Sequence, residues 1–376
     1  MRPSVLVASA YFPPHSGGVE RYTQGIVHEF NRRGWDCDVV TSAIGQPDRP
    51  TPTTPGPGRL RVAFWDVFEA MGRLPVVLPT LHNRRLMRAT SASRYDLAII
   101  QSHLYVGHAL LADRLAGRTP TVLIGHGSGV VPTGVPGMDL ALHQYERSLA
   151  CAMRSRVTAT LGVSQAAARW METLGFSEVA AIGNATEIGS DSSVAASHTG
   201  PLRLVYVGRM EPGKGADRAI RAAIMAQDRL PSGSRVQLTL AGSGSQSRGV
   251  EKLADGHPDV VTYVGSLDHK EVEALLAESE VFIYPSTYPE GFPTVLLEAA
   301  AAGCALLTYP IAGSEELLGG TNAGWIVRNE AEAAEVLRRV CLNRTEARDS
   351  GINASQLVRR EFTWPRVVDR VLENAQ

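Results

Sequence analysis

The stretch Val281-Phe-Ile-Tyr-Pro-Ser-Thr-Tyr-Pro-Glu290-Gly-Phe-Pro-Thr-Val-Leu-Leu-Glu298-Ala-Ala-Ala-Ala-Gly303-Cys-Ala-Leu-Leu-Thr308 reads as strand, loop, helix and strand in succession. Val281 to Tyr284 is a short unbroken apolar run, the pattern of a strand buried on both faces of a parallel sheet. A loop leads from it into the helical pattern Val295 to Ala302, and Ala305 to Thr308 is the next apolar run. Strands joined through a helix run parallel, so this stretch commits its region to an α/β sheet with helices packed on it.

Working outward, the same alternation fills the chain. Strands are expected at Val5–Ala8, Val39–Thr41, Leu97–Ile100, Thr121–Ile124, Thr158–Leu161 and Val179–Ile182, then at Leu204–Val207, Val236–Leu240 and Val260–Val264. Val19, Tyr22, Ile26, Val27 and Phe30 recur at helical spacing, and Gly34 ends that helix. A second helical pattern runs from Ala331 to Leu342, and Pro365 opens a last helix ending near Glu373. Residues 45–58 are rich in Pro, Gly and Thr and read as a loop. Residues 189–201 are small and polar and read as a linker. The division expected is a domain over 1–188, the linker 189–201, a domain over 202–360 and a C-terminal helix over 361–376. Each domain is a doubly wound parallel sheet, with ligands expected in a cleft at the strand ends.

Composition agrees with two folded domains and narrows the function. The 376 residues are 44% hydrophobic and 20% charged, enough apolar surface for two cores. A net charge of −1 argues against a nucleic-acid binder. Residues 1–190 carry +4, with 18 Arg and no Lys, and the remainder −5. Only Lys214, Lys252 and Lys270 are lysines, so each stands out in an Arg-biased chain. Cys37, Cys151, Cys304 and Cys341 lie far apart without a C-x-x-C pair, which excludes a disulfide scaffold and a cysteine zinc site and suits a reducing compartment. The N-terminus reaches Tyr11-Phe-Pro-Pro14 before any signal-peptide core, and no apolar stretch is long enough to span a bilayer. A soluble, cytoplasmic protein is expected.

Two segments carry chemistry. In the first, the amides around Thr294 and Val295 open a helix, whose N-terminus favours an anion such as phosphate, and Glu290 and Glu298 flank them. One carboxylate suits ribose hydroxyls and the other sugar hydroxyls. Glu298 sits among Val295, Leu296, Leu297, Ala299 and Ala301, where a charge needs a partner. The second is Gly208-Arg209-Met-Glu-Pro-Gly-Lys214-Gly215, joining a strand to a helix. Arg as a planar fork and Lys as a point charge can clamp a diphosphate, where a solvated basic loop is the plainer reading. Asp36-Cys-Asp38 has the D-x-D form of a metal-bound diphosphate site but begins a strand, away from the carboxyl-end crevice, so both aspartates read as solvated. No G-x-G-x-x-G follows the first strand, which weakens a dinucleotide-dependent dehydrogenase.

Together these segments resemble the GT-B glycosyltransferases of the retaining family-4 type, whose C-terminal domain carries a G-R…K-G loop and an E-x7-E motif. Tyr11-Phe-Pro-Pro-His-Ser-Gly17-Gly18-Val-Glu20 resembles the family's N-terminal Gly-Gly loop, Gly125-His126-Gly127 its histidine motif, Gly162-Val-Ser164 the segment near its hinge, and Ala241-Gly-Ser-Gly244 the loop after the second strand of its second domain. The resemblance covers nearly the whole chain. It implies two Rossmann-like domains facing across a cleft, with a final helix crossing back to the first. It implies that Arg209 and Lys214 hold the donor diphosphate and stabilise the departing charge, that Glu298 binds ribose, and that Glu290 contacts the sugar. Phe292, Pro293, Thr294 and Val295 complete that donor stretch. Gly17 and Gly18 admit phosphates close to backbone amides, and His126 faces the sugar; a histidine merely capping a strand end is the plainer reading of Gly-His-Gly. Asn184, in Gly183-Asn-Ala-Thr-Glu187, replaces the family's usual Asn-Gly and is a weaker site candidate.

The function implied is transfer of a sugar from a UDP-, GDP- or other nucleoside-diphosphate sugar to a hydroxyl, with anomeric configuration retained, no metal and no cofactor. The product would be a polysaccharide, glycolipid or other glycoconjugate. A sugar-nucleotide epimerase, needing no acceptor, and an inactive nucleotide-sugar-binding homologue are the alternatives; a two-lobed solute-binding protein would carry an export signal. Residues 64–88 place apolar residues ahead of Arg84, Arg85 and Arg88. Pro75 and Pro79 break any single long amphipathic helix there, which favours a loop and helix packed on the sheet over a peripheral contact with an anionic membrane.

Overall fold

The computed structural model describes residues 2–13, 17–42, 56–70, 74–130, 135–187 and 200–375. Most of the expected 45–58 loop and nearly all of the expected 189–201 linker lie outside the described residues. The chain forms two compact units: Met1–Ala185 with Glu290–Phe292 and Trp364–Gln376, and Thr186–Pro289 with Pro293–Thr363.

In the first unit the elements are β1 (Ser4–Ser9), α1 (Gly18–Arg32), β2 (Asp36–Ser42), β3 (Leu60–Trp65), β4 (Val67–Ala70), β5 (Leu74–Val77), α2 (Leu81–Ala92), β6 (Leu97–Gln101), α3 (Val106–Leu115), β7 (Thr121–Gly125), α4 (Met138–Met153), β8 (Ala159–Gly162), α5 (Gln165–Thr173) and β9 (Ala180–Ala181). Seven of these strands make one parallel sheet in the order β3-β2-β1-β6-β7-β8-β9. The central strands are apolar without alternation because helices cover both faces, and β1, β6 and β7 are almost wholly buried. The order reverses between β1 and β6, so the carboxyl ends of these two strands open the crevice where doubly wound sheets bind ligands.

The second unit repeats the plan with β10 (Leu202–Val207), α6 (Ala216–Asp228), β11 (Val236–Ala241), α7 (Ser247–Asp255), β12 (Val261–Gly265), α8 (His269–Ala277), β13 (Val281–Tyr284), α9 (Thr294–Ala301), β14 (Ala305–Thr308), α10 (Ser314–Leu318), β15 (Gly324–Ile326), α11 (Glu330–Leu342) and α12 (Arg344–Glu361). Its sheet runs β12-β11-β10-β13-β14-β15, also parallel, and reverses between β10 and β13.

The last helix, α13 (Trp364–Asn374), belongs to the first unit. Gly25 on α1 makes room for it: a Cβ there would stand 2.1 Å from the Trp364 ring. Trp364 also meets Tyr22 edge-on at 5.4 Å, Arg33 pairs with Asp369 at 2.6 Å, and Arg370 donates to the Ile182 carbonyl at 2.8 Å.

Three features depart from the sequence reading. β3 and the antiparallel β4–β5 hairpin occupy the region expected as loop and helix, and β15 is a further short strand. Asp38 is not solvated: it is buried, and it pairs with Arg61, its neighbour across the β2–β3 ladder, and accepts from the Tyr95 hydroxyl at 2.8 Å. The 64–88 region has two distinct faces. Val67 and Val77, paired across the hairpin, pack against the core with Leu86. Phe68 pairs with Val76 on the opposite face, and Phe68 is 61% exposed. On α2, Asn83, Met87 and Thr90 point inward, whereas Leu81, 70% exposed, shares the outer stripe with Arg84, Arg85 and Arg88. Among the described residues no helix is long and apolar enough to cross a membrane.

Trp364→Ala should lower the stability of the first unit by about 3–5 kcal/mol, because it empties the contact of α13 on α1. Urea unfolding followed by tryptophan-independent far-UV dichroism measures it, and an unchanged midpoint would contradict this account of the helix.

Candidate functional site

In the second unit the candidate cations lie on the loop after β10, at the strand-order reversal. Gly213 and Gly215 both take left-handed backbone, with φ of 83° and 90°, and Lys214 sits between them. At Gly215 a Cβ would stand 2.3 Å from the Pro285 carbonyl oxygen, so only glycine lets this loop meet the one after β13. The Thr287 amide donates to the Gly213 carbonyl at 2.7 Å, and the Tyr206 hydroxyl donates to the Lys214 carbonyl at 3.1 Å. Lys214 is 5% exposed, with Nζ 4.3 Å from the centre of the Tyr288 ring. Arg209 is exposed, its guanidinium carbon 6.0 Å from the same ring. The Ala241–Gly244 loop braces the base of this segment: Gly208 donates to the Ala241 carbonyl and Met210 to that of Ser243.

The loop after β13 ends at α9, where Pro293 at the N-cap makes no side-chain cap to the first amides, at Thr294 and Val295. Glu298 is half-buried on α9 between the buried Leu297 and Ala299. Tyr288 and Arg218 were not singled out from the sequence. Arg218 donates to Thr287 Oγ1 at 3.0 Å and to the Pro285 carbonyl at 3.3 Å, holding the loop from α6.

In the first unit Glu290, Gly291 and Phe292 lie against the loop after β7. Glu290 bridges Gly127 in antiparallel fashion, and Ser128 Oγ donates to the Glu290 carbonyl at 2.6 Å. A Cβ on Gly291 would stand 2.2 Å from the His126 carbonyl oxygen, so the close approach requires glycine. Asn184 donates to the Phe292 carbonyl at 3.1 Å and accepts from the Ala185 amide at 2.7 Å, which engages both ends of its amide with backbone. His126, Glu290 and Phe292 are thus brought together in one unit, and Arg209, Lys214, Pro293, Thr294, Val295 and Glu298 in the other.

His126 follows the carboxyl end of β7. Its Nε2 lies 2.6 Å from Gln101 Oε1, and Tyr22 packs edge-on at 4.9 Å. The residue as a whole is half-buried, and burial pushes the pKa of its ring down to about 3. Gly17 caps α1 in extended conformation, and Gly18 has nothing within 4 Å of where a Cβ would stand. Among the described residues no group of three or more His, Cys, Asp or Glu is placed to hold a metal ion.

Two doubly wound parallel sheets, each with its candidate residues at the carboxyl edge of the reversal, define a GT-B architecture. The sequence profile of Glycosyltransferase Family 4 matches residues 16–188 and that of Glycosyl transferases group 1 matches residues 190–357. The chain belongs to the GT-B glycosyltransferases of this family-4, group-1 type. It is 38% identical over 173 residues to a glycogen synthase of Mycobacterium tuberculosis, a match covering 45% of this chain and 41% of that enzyme. The chain therefore matches less than half the length of that relative. Sucrose-phosphate synthase of Thermosynechococcus elongatus shares the fold with a TM-score of 0.76 at 20% identity, covering 99% of this chain and 98% of that one. HepE of Anabaena, solved with UDP and glucose, superposes with a TM-score of 0.73 at 17% identity over 99% of both chains.

His108, wholly buried, donates from Nδ1 to the Ser102 carbonyl at 2.7 Å, and burial lowers its pKa to about 4. Histidines near 6.5 when unfolded but held neutral in the fold contribute stability that is complete above about pH 6.5 and drains as pH falls, since the unfolded chain then binds more protons. Stability to urea should therefore fall between pH 6.5 and 4.5. His108→Gln should flatten that slope by about 1.4 kcal/mol per pH unit, one proton's share. An identical slope in the variant would contradict the assignment.

Proposed function

We propose that the chain transfers a glycosyl group from a nucleoside-diphosphate sugar to a hydroxyl acceptor with retention of anomeric configuration. The observation that carries this reading is Lys214, a buried ammonium held between two left-handed glycines beside Tyr288, with Arg209 on the same loop. Two cations of this kind suit a diphosphate and the charge that grows on it as it leaves. The uncapped amides of Thr294 and Val295 add an anion-favouring helix end. Family membership and the UDP and glucose bound to HepE support the same ligand class.

In this reading Glu298 takes the ribose hydroxyls, Glu290 the sugar, and Gly17 and Gly18 let α1 amides near the phosphates. Phe292 and Pro293 set the path of the chain between the two glutamates. Retention follows from a same-face route in which the departing phosphate assists deprotonation of the acceptor. Arg209 and Lys214 do the neutralising that a metal does elsewhere, so no metal and no cofactor take part. His126, neutral at working pH, orients the sugar without adding positive charge beside an anomeric carbon that itself becomes positive.

Lys214→Ala and Glu298→Ala should each weaken binding of the nucleoside diphosphate by about 1.5–3 kcal/mol, roughly ten- to a hundredfold, while the fold persists. Calorimetry with UDP and GDP measures this. Unchanged affinity in both variants would remove the donor assignment. Proton NMR of the product formed from an α-linked donor in the presence of EDTA should show an α-linkage. An inverted product would overturn retention, and activity lost to EDTA and restored by Mn²⁺ would overturn metal independence.

On the acceptor side we place a lipid-linked hydroxyl at the cytoplasmic face of a membrane. Leu81 projects outward on the same α2 face as Arg84, Arg85 and Arg88, and Phe68 is exposed on the preceding hairpin, which supplies apolar anchors and a charge complementary to anionic headgroups. Co-sedimentation with phosphatidylglycerol vesicles should exceed that with phosphatidylcholine vesicles and fall at least tenfold in an Arg84→Glu, Arg85→Glu, Arg88→Glu variant. Equal binding to both vesicle types would remove this contact.

A further inference from the structure

We propose that Gln101 is a positioning residue that fixes the tautomer of His126 with Nε2 protonated, leaving Nδ1 as the ring's hydrogen-bond acceptor for a sugar hydroxyl. The functional half rests on the reading of His126 as the residue facing the sugar; the tautomer itself does not.

The geometry comes from neighbouring strands. Gln101 ends β6 and His126 follows the end of β7, with Gln101 opposite Ile124 in the ladder. Both lie on the carboxyl edge of the sheet, beside the strand-order reversal. The Gln101 side chain is completely buried, and its Oε1 lies 2.6 Å from His126 Nε2. A carbonyl oxygen only accepts, so Nε2 carries the proton. In the neutral ring Nδ1 is then a lone-pair acceptor, and among the described residues no hydrogen bond to it is present. Tyr22, edge-on to the ring at 4.9 Å, blocks rotation and is itself backed by Trp364 at 5.4 Å. The depressed basicity of His126 agrees with a ring that stays neutral.

Gln101 Nε2, at the other end of the amide, is buried and among the described residues has no hydrogen-bond partner. A buried amide donor left unmade costs free energy, so its retention beside His126 calls for a group that accepts from it. The two ring nitrogens point to opposite sides of the imidazole, so the group that accepts from Gln101 and the hydroxyl that donates to His126 Nδ1 are separate, and it is the bare Nδ1 that takes a hydroxyl proton. A carboxylate or phosphate accepts only and would set its oxygens against the His126 lone pair.

The test uses the full chain labelled with ¹⁵N-histidine, with His126→Gln assigning the resonance. Long-range proton–nitrogen correlation at pH 7 should show His126 as one neutral tautomer with Nε2 protonated and Nδ1 bare. Gln101→Met should shift both nitrogens toward the averaged values of exchanging tautomers. A protonated Nδ1 in the unsubstituted chain overturns the proposal without recourse to any variant, and so do unchanged shifts in a folded Gln101→Met. In turnover, Gln101→Met should lower kcat at least tenfold with donor KM within twofold. A fully active Gln101→Met alongside an inactive His126→Ala overturns the positioning role. Full activity in both overturns instead the reading of His126 as a sugar-facing residue.

Discussion

In each unit the strand order reverses beside the first strand, and this one topological constraint gathers the chemistry. At the reversal, neighbouring helices leave on opposite faces, so the loops after the two adjacent strands diverge and expose backbone amides. In the first unit Gln101 closes β6 at the reversal and meets His126 after the adjoining β7; in the second the reversal brings the Arg209–Lys214 loop against Pro285–Thr287. The glycines are consequences of that crowding: Gly215 and Gly291 each stand where a Cβ would strike a carbonyl oxygen of a facing loop.

The sequence was most readable where burial is complete. Continuous apolar runs such as Val281–Tyr284 and Thr121–Ile124 can only be strands covered on both faces, and they are the centres of the sheets. It was least readable at the edges. β3 reads Leu60-Arg-Val-Ala-Phe-Trp65, with Arg61 exposed, because an edge strand has one neighbour and one half-open face. Missing β3 carried a second error with it: Asp38 looked solvated because its partner, Arg61, lies on the strand that went unseen. β15 is three residues long, too short for any periodicity to register.

The candidate site divides in the same way. Residues fixed by local chain geometry, such as the glycine-flanked Lys214, were legible from their own neighbours in sequence. Residues defined by contacts between distant segments were not. Tyr288 is one aromatic in a loop until the fold sets its ring beside Lys214 Nζ. Gln101 is one polar residue closing an apolar run until β6 and β7 align it with His126. A polar residue ending a fully buried strand was the only available signal for Gln101, and it is a general one: such a side chain must find a partner or a ligand.

Lys214 also answers a question posed by composition. A chain with three lysines and many arginines keeps a lysine at this position. Burial at 5% exposure, against one aromatic face and between two glycines, suits a compact ammonium better than a planar guanidinium with five donors to satisfy. Arg209, exposed and farther from the same ring, has the space its fork requires. The two cations are therefore not interchangeable. The Tyr206 bond to the Lys214 carbonyl and the turn around it fix its backbone, and burial against Tyr288 restricts its side chain. In the proposed reading Arg209, exposed, is ordered by the anion itself. Under the proposed function, a loop with one fixed charge and one recruited charge would hold a diphosphate loosely before reaction and more tightly as charge accumulates on it, which is the difference in binding that catalysis requires.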